Sequence, residues 1–171
     1  MLRKFILSRI TSTEKQWGVS LEYCRFIVRV SLRAAFKFAK FLAVDEYRKV
    51  LPPGPFYVAR IVAVREADCG TCVQIAVRQA KKAGVPAEVL RAVLDGKLED
   101  LPEELRDACR FAEAVATANG EDNALRESIR LKYSDEGLIE MALAIASCRT
   151  FPTIKRALGY AVSCSEVAVR V

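Results

Sequence analysis

Two cysteines separated by two residues, Cys69 and Cys72, are the side chains of this sequence best suited by type and spacing to chemistry. Thiols three positions apart can close a disulfide reversibly, so the pair predicts thiol redox chemistry. The segment from Val73 to Ala83 has the pattern of a helix ending at Gly84, which places the cysteines in the first helical turn. The free N–H groups and the dipole of that turn stabilise a thiolate, the form that acts as a nucleophile.

Charged neighbours modify this expectation for the pair. Asp68 can cap the helix, but its negative charge opposes thiolate formation. Arg60 and Arg65 are the cations that can compensate if they point towards the pair. The helix dipole favours Cys69, expected to be the more exposed thiol, as the attacking one.

Two structural alternatives compete with the redox interpretation of the CxxC pair. A structural zinc site needs four nitrogen or sulfur ligands, and this chain has neither a second CxxC nor any histidine. A buried pair of small core residues is the other alternative. No metal or cofactor is indicated by the sequence. The remaining cysteines lie singly in apolar helical runs and are expected to be core residues: Cys24, Cys109, Cys148 and Cys164.

Length and composition indicate one globular domain spanning residues 1–171, with 52% hydrophobic and 28% charged residues. The apolar run near the amino terminus, Phe5-Ile6-Leu7, is too short for a secretory signal. Six cysteines without such a signal favour a reducing compartment, and we expect a cytoplasmic protein.

Positive charge is concentrated in the amino-terminal part of the chain. Residues 1–65 hold 13 Lys and Arg against 4 Asp and Glu. The region 1–50 is therefore predicted to be a basic amphipathic helical segment that packs on the core and contacts other subunits, with binding to an anionic membrane surface as the alternative. No nucleic-acid-binding motif accompanies the charge, so nucleic acid is not an expected partner. The predicted basic stripe comprises Arg25, Arg29, Arg33, Lys37 and Lys40.

The rest of the pattern predicts an all-α fold, a compact multi-helix bundle. A helix from about Gly18 to Val44 ends before the proline-rich segment 51–55, and a helix follows from Phe56 towards Glu66, where residues 56–64 are also compatible with a strand. Pro86 and Gly96 bracket a short helix, and Pro102 starts another that runs to about Asn119. Ser134 is predicted to cap an apolar helix over 138–148, which Pro152 separates from a final helix over 155–162.

This arrangement resembles the alkylhydroperoxidase D-like branch of the carboxymuconolactone decarboxylase family. The resemblance covers about Pro55 to Gly159 and rests on an apolar helix, a CxxC that opens a helix ending Ala83-Gly84-Val85-Pro86, and Ser134-Asp135-Glu136 before a long apolar helix. It implies an all-α core over residues 55–160, assembly into trimers or hexamers, and peroxidase or disulfide-reductase activity through Cys69 and Cys72. In the family the second cysteine, here Cys72, commonly meets the peroxide.

Both members of the proton relay that the resemblance implies are missing. The family places a histidine where this chain has Ala76 and a glutamate where it has Tyr57; some relatives have histidine where this chain has Thr71. Peroxide reduction needs an acid to protonate the leaving alkoxide. The remaining candidates are Glu66 as acid or base and the Tyr57 phenol, while Gln74 can only hydrogen-bond; a solvated carboxylate, a core aromatic and a surface amide are their structural alternatives.

Two functions remain open. One is a thiol-dependent peroxidase or disulfide oxidoreductase that acts on a peroxide or disulfide and takes electrons from an unidentified thiol donor. The other is a non-enzymatic helical homo-oligomer, in which the CxxC is structural or redox-sensing and the basic amino-terminal helix makes the contacts. A lactone decarboxylase is supported by the family name alone, since those enzymes typically lack the CxxC pair.

Overall fold

The structure, a computed structural model, describes residues 1–120, 122–164 and 168–171. These residues form eight α-helices and no strand, which confirms the prediction of an all-α fold. One 3₁₀ turn, Leu98–Asp100, separates two of the helices. The helices are α1 (Leu2–Trp17), α2 (Glu22–Val30), α3 (Leu32–Asp45), α4 (Pro53–Glu66), α5 (Gly70–Lys82), α6 (Ala87–Asp95), α7 (Glu103–Thr117) and α8 (Asp122–Ala157).

Helix α4 forms the centre of the bundle and packs against α5, α7 and α8. Its residues from Val58 to Val64 are all buried, because the segment is apolar on every side apart from Arg60, whose charge is paired with Asp45. Such a pattern suits a helix enclosed on every side as well as it suits a buried strand, and length decides between them. The strand alternative for residues 56–64 is therefore wrong.

The amino-terminal region forms three helices, and the range from Gly18 to Val44, predicted to be one helix, contains two of them, α2 and α3. The prediction of a single helix is therefore wrong. Ser31 adopts an extended conformation (φ −146°, ψ 107°), and its hydroxyl accepts a hydrogen bond from the backbone N–H of Ala34 at 3.1 Å. A serine at this position caps α3 better than it continues α2. The break divides the predicted basic stripe between two helices.

A buried carboxylate fastens this region to the core. Glu140 of α8 accepts hydrogen bonds from the backbone N–H groups of Lys49, Val50 and Leu51 at 2.7–2.9 Å. Burial alone would raise the pKa of Glu140, but these three donors hold it below its ordinary value. The segment that leads from α3 into α4 is thus fixed to α8 by one side chain.

Helix α8 departs from the prediction at Pro152 and agrees with it at Ser134. Ser134 has the non-helical values φ 68° and ψ 175°, so α8 consists of two helical segments that meet at Ser134, and the second segment begins where the sequence predicted a helix start. Pro152 lies within the helix, which continues to Ala157 and is followed by Gly159 at φ 78°. The predicted separate helix over residues 155–162 is wrong, and this difference brings Lys155 into the interior on α8.

Candidate functional site

The CxxC pair lies at the start of α5, as the sequence predicted. Cys69 is the residue preceding the helix, and Cys72 lies in the first turn. The two thiols are joined as a disulfide, with their Cα atoms 5.2 Å apart. Cys69 is 0% exposed and Cys72 is 8% exposed, so the expectation that Cys69 is the more accessible thiol is wrong.

A buried lysine lies directly beside this pair. The Nζ of Lys155, which is 2% exposed, lies 3.9 Å from the Sγ of Cys69. It donates a hydrogen bond to the hydroxyl of Thr71 at 2.7 Å and lies 5.1 Å from the centre of the Tyr23 ring. Burial lowers the pKa of Lys155 from 10.5 to about 8, because the charged form loses its hydration. The site therefore contains a group that can carry or release a proton near neutral pH.

Thr71 connects the lysine to the sulfur. Its hydroxyl oxygen lies 2.7 Å from the Lys155 nitrogen and 3.6 Å from the Cys69 sulfur. A hydroxyl group accepts one hydrogen bond while donating another, so it can take the lysine's proton in a hydrogen bond and offer its own to a thiolate. Thr71 occupies the position at which the resemblance places a histidine in some relatives.

Lys155 is not among the residues predicted from the sequence, although the sequence contains a signal for it. Buried positions of α8 recur at helical spacing, and continuing that spacing past Cys148 and Pro152 reaches residue 155. A lysine on the apolar face of a helix must be buried with partners or lose its proton. Expecting the helix to end at Pro152 hid this pattern. The recurring buried positions are Met141, Ala144, Ile145, Cys148, Pro152 and Lys155.

Cys72 borders a cavity that lies between the amino-terminal helices and the core. This cavity has a volume of about 490 Å³, and Cys24, Tyr23 and Lys155 also line it. A second, smaller cavity of about 240 Å³ is lined by Thr71, Tyr23 and Lys155. Of the two cysteines of the pair, Cys72 is therefore the one that contacts a molecule in the larger cavity.

Asp68 is engaged by the carboxyl-terminal segment and does not cap α5 as the sequence suggested. Its carboxylate accepts hydrogen bonds from the backbone N–H of Cys164 at 2.8 Å and the hydroxyl of Ser163 at 2.9 Å. The bond from Cys164 and the one from Ser163 lower the pKa of Asp68. The backbone N–H of Gly70 donates to the carbonyl of Val162 at 3.1 Å. This segment therefore covers one side of the start of α5.

The proton-transfer candidates from the sequence lie elsewhere. Tyr57 packs edge-on against the Phe56 ring and lines a separate cavity. Glu66 lies 3.8 Å from the guanidinium of Arg65. Gln74 is buried, so the alternative of a surface amide is wrong. Its side chain donates a hydrogen bond to the backbone carbonyl of Arg170 at 3.0 Å and accepts one from the backbone N–H of Arg170 at 2.8 Å.

The two arginines expected to compensate Asp68 have other partners. Arg60 is buried and pairs with the Asp45 carboxylate at 2.5 Å, while Arg65 donates to the carbonyl of Val93 at 2.8 Å. Among the described residues, the cation that lies beside the Cys69 sulfur is therefore Lys155.

The other cysteines divide into two groups. Cys109 and Cys148 are fully buried, as expected of core residues, and burial raises the pKa of each thiol to about 12. Cys24 and Cys164 are only partly buried, and burial raises the pKa of these thiols as well. All four are therefore poor nucleophiles near neutral pH.

Among the described residues, no three Cys, Asp or Glu side chains gather closely enough to hold a metal ion. Within the same residues, no helix is both long and apolar enough to cross a membrane. Comparisons with models of protein families, with curated proteins and with solved structures give no significant match.

Proposed function

We propose that this chain is a thiol-dependent oxidoreductase in which Cys69 and Cys72 cycle between a dithiol and a disulfide while reducing a disulfide or a peroxide. The observation that carries the proposal is the buried Lys155 nitrogen, 3.9 Å from the Cys69 sulfur and hydrogen-bonded to Thr71. A structural disulfide needs no buried cation beside it, and burying one costs free energy. A thiolate at Cys69 compensates that cost.

Exposure assigns different roles to the two thiols. Cys72 borders the cavity and is the thiol that meets the substrate, whereas Cys69 is fully enclosed and resolves the intermediate. In disulfide reduction, the Cys72 thiolate bonds to one substrate sulfur, and the other sulfur leaves as a thiolate that takes up a proton. The Cys69 thiolate then attacks Cys72, which closes the pair and releases the second substrate sulfur. Lys155 stabilises the Cys69 thiolate during this second step.

The same site can reduce a hydroperoxide. The Cys72 thiolate attacks one oxygen, the O–O bond breaks, and the departing alkoxide takes a proton to become an alcohol, leaving Cys72 as a sulfenic acid. Cys69 displaces the hydroxyl group as water and forms the disulfide. We assign the proton of the first step to Lys155, which borders the cavity with Cys72 and takes the role of the missing histidine. An external dithiol returns two electrons to complete the cycle.

The fold type and assembly are part of the proposal. A CxxC at the start of α5, directly after the buried helix α4, supports an alkylhydroperoxidase D-like arrangement. Large apolar residues exposed on α3 support its burial between copies of the chain, as in the trimers or hexamers that the resemblance implies. They are Phe36, Phe41, Leu42 and Val44.

The same exposed surface favours the second candidate function, a non-enzymatic oligomer with a structural CxxC. That alternative makes the thiols no more reactive than ordinary buried cysteines. The two candidates are therefore separated by the rate at which the pair reacts.

The test adds one equivalent of an organic hydroperoxide, and in a parallel sample oxidised glutathione, to the reduced protein and then maps every thiol by alkylation and mass spectrometry. We expect rapid, stoichiometric formation of the Cys69–Cys72 disulfide, with Cys109 and Cys148 unreacted as internal controls. With Cys69→Ser, Cys72 should still react and stop at a sulfenic acid or mixed disulfide. If the pair reacts as slowly as Cys109 and Cys148, the enzyme proposal is refuted.

A further inference from the structure

The cavity that borders Cys72 has a mainly apolar wall and two buried cations, Arg60 and Lys155. Helices α1, α2 and α3 close it on one side and α4, α5 and α8 on the other, so residues outside the family-like core contribute half of the wall. Its volume of about 490 Å³ is in the range that holds small-molecule ligands. The apolar part includes Leu21, Phe38, Leu42, Val64, Ile75 and Phe151.

Lys155 leaves a charge uncompensated in this wall when the pair is oxidised. Among the described residues, its nitrogen is near the Thr71 hydroxyl, the Tyr23 ring and a sulfur of the disulfide, and it forms no ion pair with a carboxylate. A hydroxyl and an aromatic face stabilise an ammonium group, but they carry no net negative charge. A buried cation without an anion is costly, so this position favours an anionic partner.

The other charged groups of the wall do not supply that anion. Asp45 is committed to the Arg60 guanidinium at 2.5 Å, and it also accepts a hydrogen bond from the Ser147 hydroxyl at 3.2 Å. Glu46 and Lys82 also line the cavity, and both are exposed to solvent. Three cations and two carboxylates therefore line the cavity, and Lys155 is the buried cation that lacks an anion.

We propose that this cavity binds an apolar monocarboxylate, with its carboxylate beside Lys155 and its alkyl chain along the apolar wall, and that it binds more tightly when Cys69 and Cys72 are oxidised. Reduction and ionisation of the pair place a thiolate 3.9 Å from the lysine nitrogen, where it competes with the ligand for the same charge. The dependence on redox state rests on the proposed function, whereas the binding itself does not. A bound carboxylate also covers Cys72, so the ligand inhibits the reaction of that thiol.

The first test is calorimetric titration of the oxidised wild-type protein with decanoate, with decanol and decylamine as ligands of the same chain length. We expect decanoate to bind at least tenfold more tightly than decanol, and decylamine to bind more weakly than either. Equal affinities for the three ligands, or preference for the amine, overturn the proposal. Because this series needs no substitution, it does not depend on the folding of a variant.

The second test uses Lys155→Met, an unbranched side chain of similar length that removes the charge. We expect it to abolish the preference for decanoate over decanol, with circular dichroism confirming a helical fold. An unchanged preference places the carboxylate elsewhere and overturns the proposal.

The third test repeats the wild-type decanoate titration in excess dithiothreitol. Affinity at least fivefold weaker than in the oxidised protein supports competition between the thiolate and the carboxylate, and equal affinity refutes it. Failure of the proposed function would be seen separately. If the pair proves catalytically inert, it can still be oxidised chemically, and binding of decanoate to the oxidised protein can still be measured.

Discussion

Removing the charge of Lys155 should raise the pKa of the Cys69 thiol. The two atoms are 3.9 Å apart, and at that separation an effective dielectric constant of about 20 gives an attraction of roughly 4 kcal/mol. At 1.36 kcal/mol per pKa unit, this corresponds to an upper limit of about three units. Lys155 is 2% exposed, so solvent screening reduces the attraction little, but partial loss of its proton does. We therefore expect Lys155→Met to raise the pKa of Cys69 by about one to three units.

The assay is a pH titration of thiolate absorbance in the ultraviolet. A Cys72→Ser background leaves Cys69 as the remaining thiol of the pair, and Lys155→Met is compared with the unmodified lysine in that background. Lys155→Arg is the matched control, because it keeps a positive charge. Cys109 and Cys148 do not interfere near neutral pH, since burial raises the pKa of each to about 12. Equal midpoints with lysine and methionine would refute the assignment of Lys155 as the stabilising cation.

Three further results are expected. Thr71→Val removes the hydroxyl between the Lys155 nitrogen and the Cys69 sulfur, and it should slow disulfide closure about tenfold or more in stopped-flow measurements, whereas Thr71→Ser should stay near the wild-type rate. Glu140→Gln offers one acceptor oxygen to three backbone donors, and denaturant unfolding should show a free energy of unfolding lower by about 2–3 kcal/mol. Because the pKa of Glu140 is depressed in the folded protein, the wild type should lose this contribution as the pH falls through that pKa, and the variant should not. Burial lowers the pKa of Lys155 from 10.5 to about 8. Between about pH 8 and pH 10.5 the unfolded chain of the oxidised protein therefore holds a proton that the folded chain has released. The free energy of unfolding should rise with pH across this window in the wild type and stay flatter in Lys155→Met.

Local signals predicted much of the architecture. The position of the CxxC at a helix start follows from the apolar periodicity of α5 and from Gly84, whose φ of 88° suits the end of a helix. Prolines and glycines likewise located α6 and α7, because these residues restrict the backbone whatever surrounds them. Where the local preference is strong, sequence and structure agree.

The failures occurred where tertiary contacts override local preference. Pro152 normally ends a helix, yet α8 continues past it to Ala157 because the surrounding core holds the segment. That one difference concealed Lys155, the group that gives the site its proton chemistry. Asp68 offers a similar case, since its partners Ser163 and Cys164 are about 95 positions away and no local pattern joins them.

The interruption at Ser134 separates α8 into two parts that should open on different timescales. In the first part, Ile129 is the one described side chain that is fully buried. Its polar contacts with α7 include a part-buried hydrogen bond from Ser128 to Asp107 and an exposed ion pair between Lys132 and Glu104. The second part carries the enclosed residues Glu140 and Lys155. Amide hydrogens of residues 123–133 should therefore exchange with solvent through local opening, whereas those of residues 140–155 should exchange only through cooperative unfolding of the core.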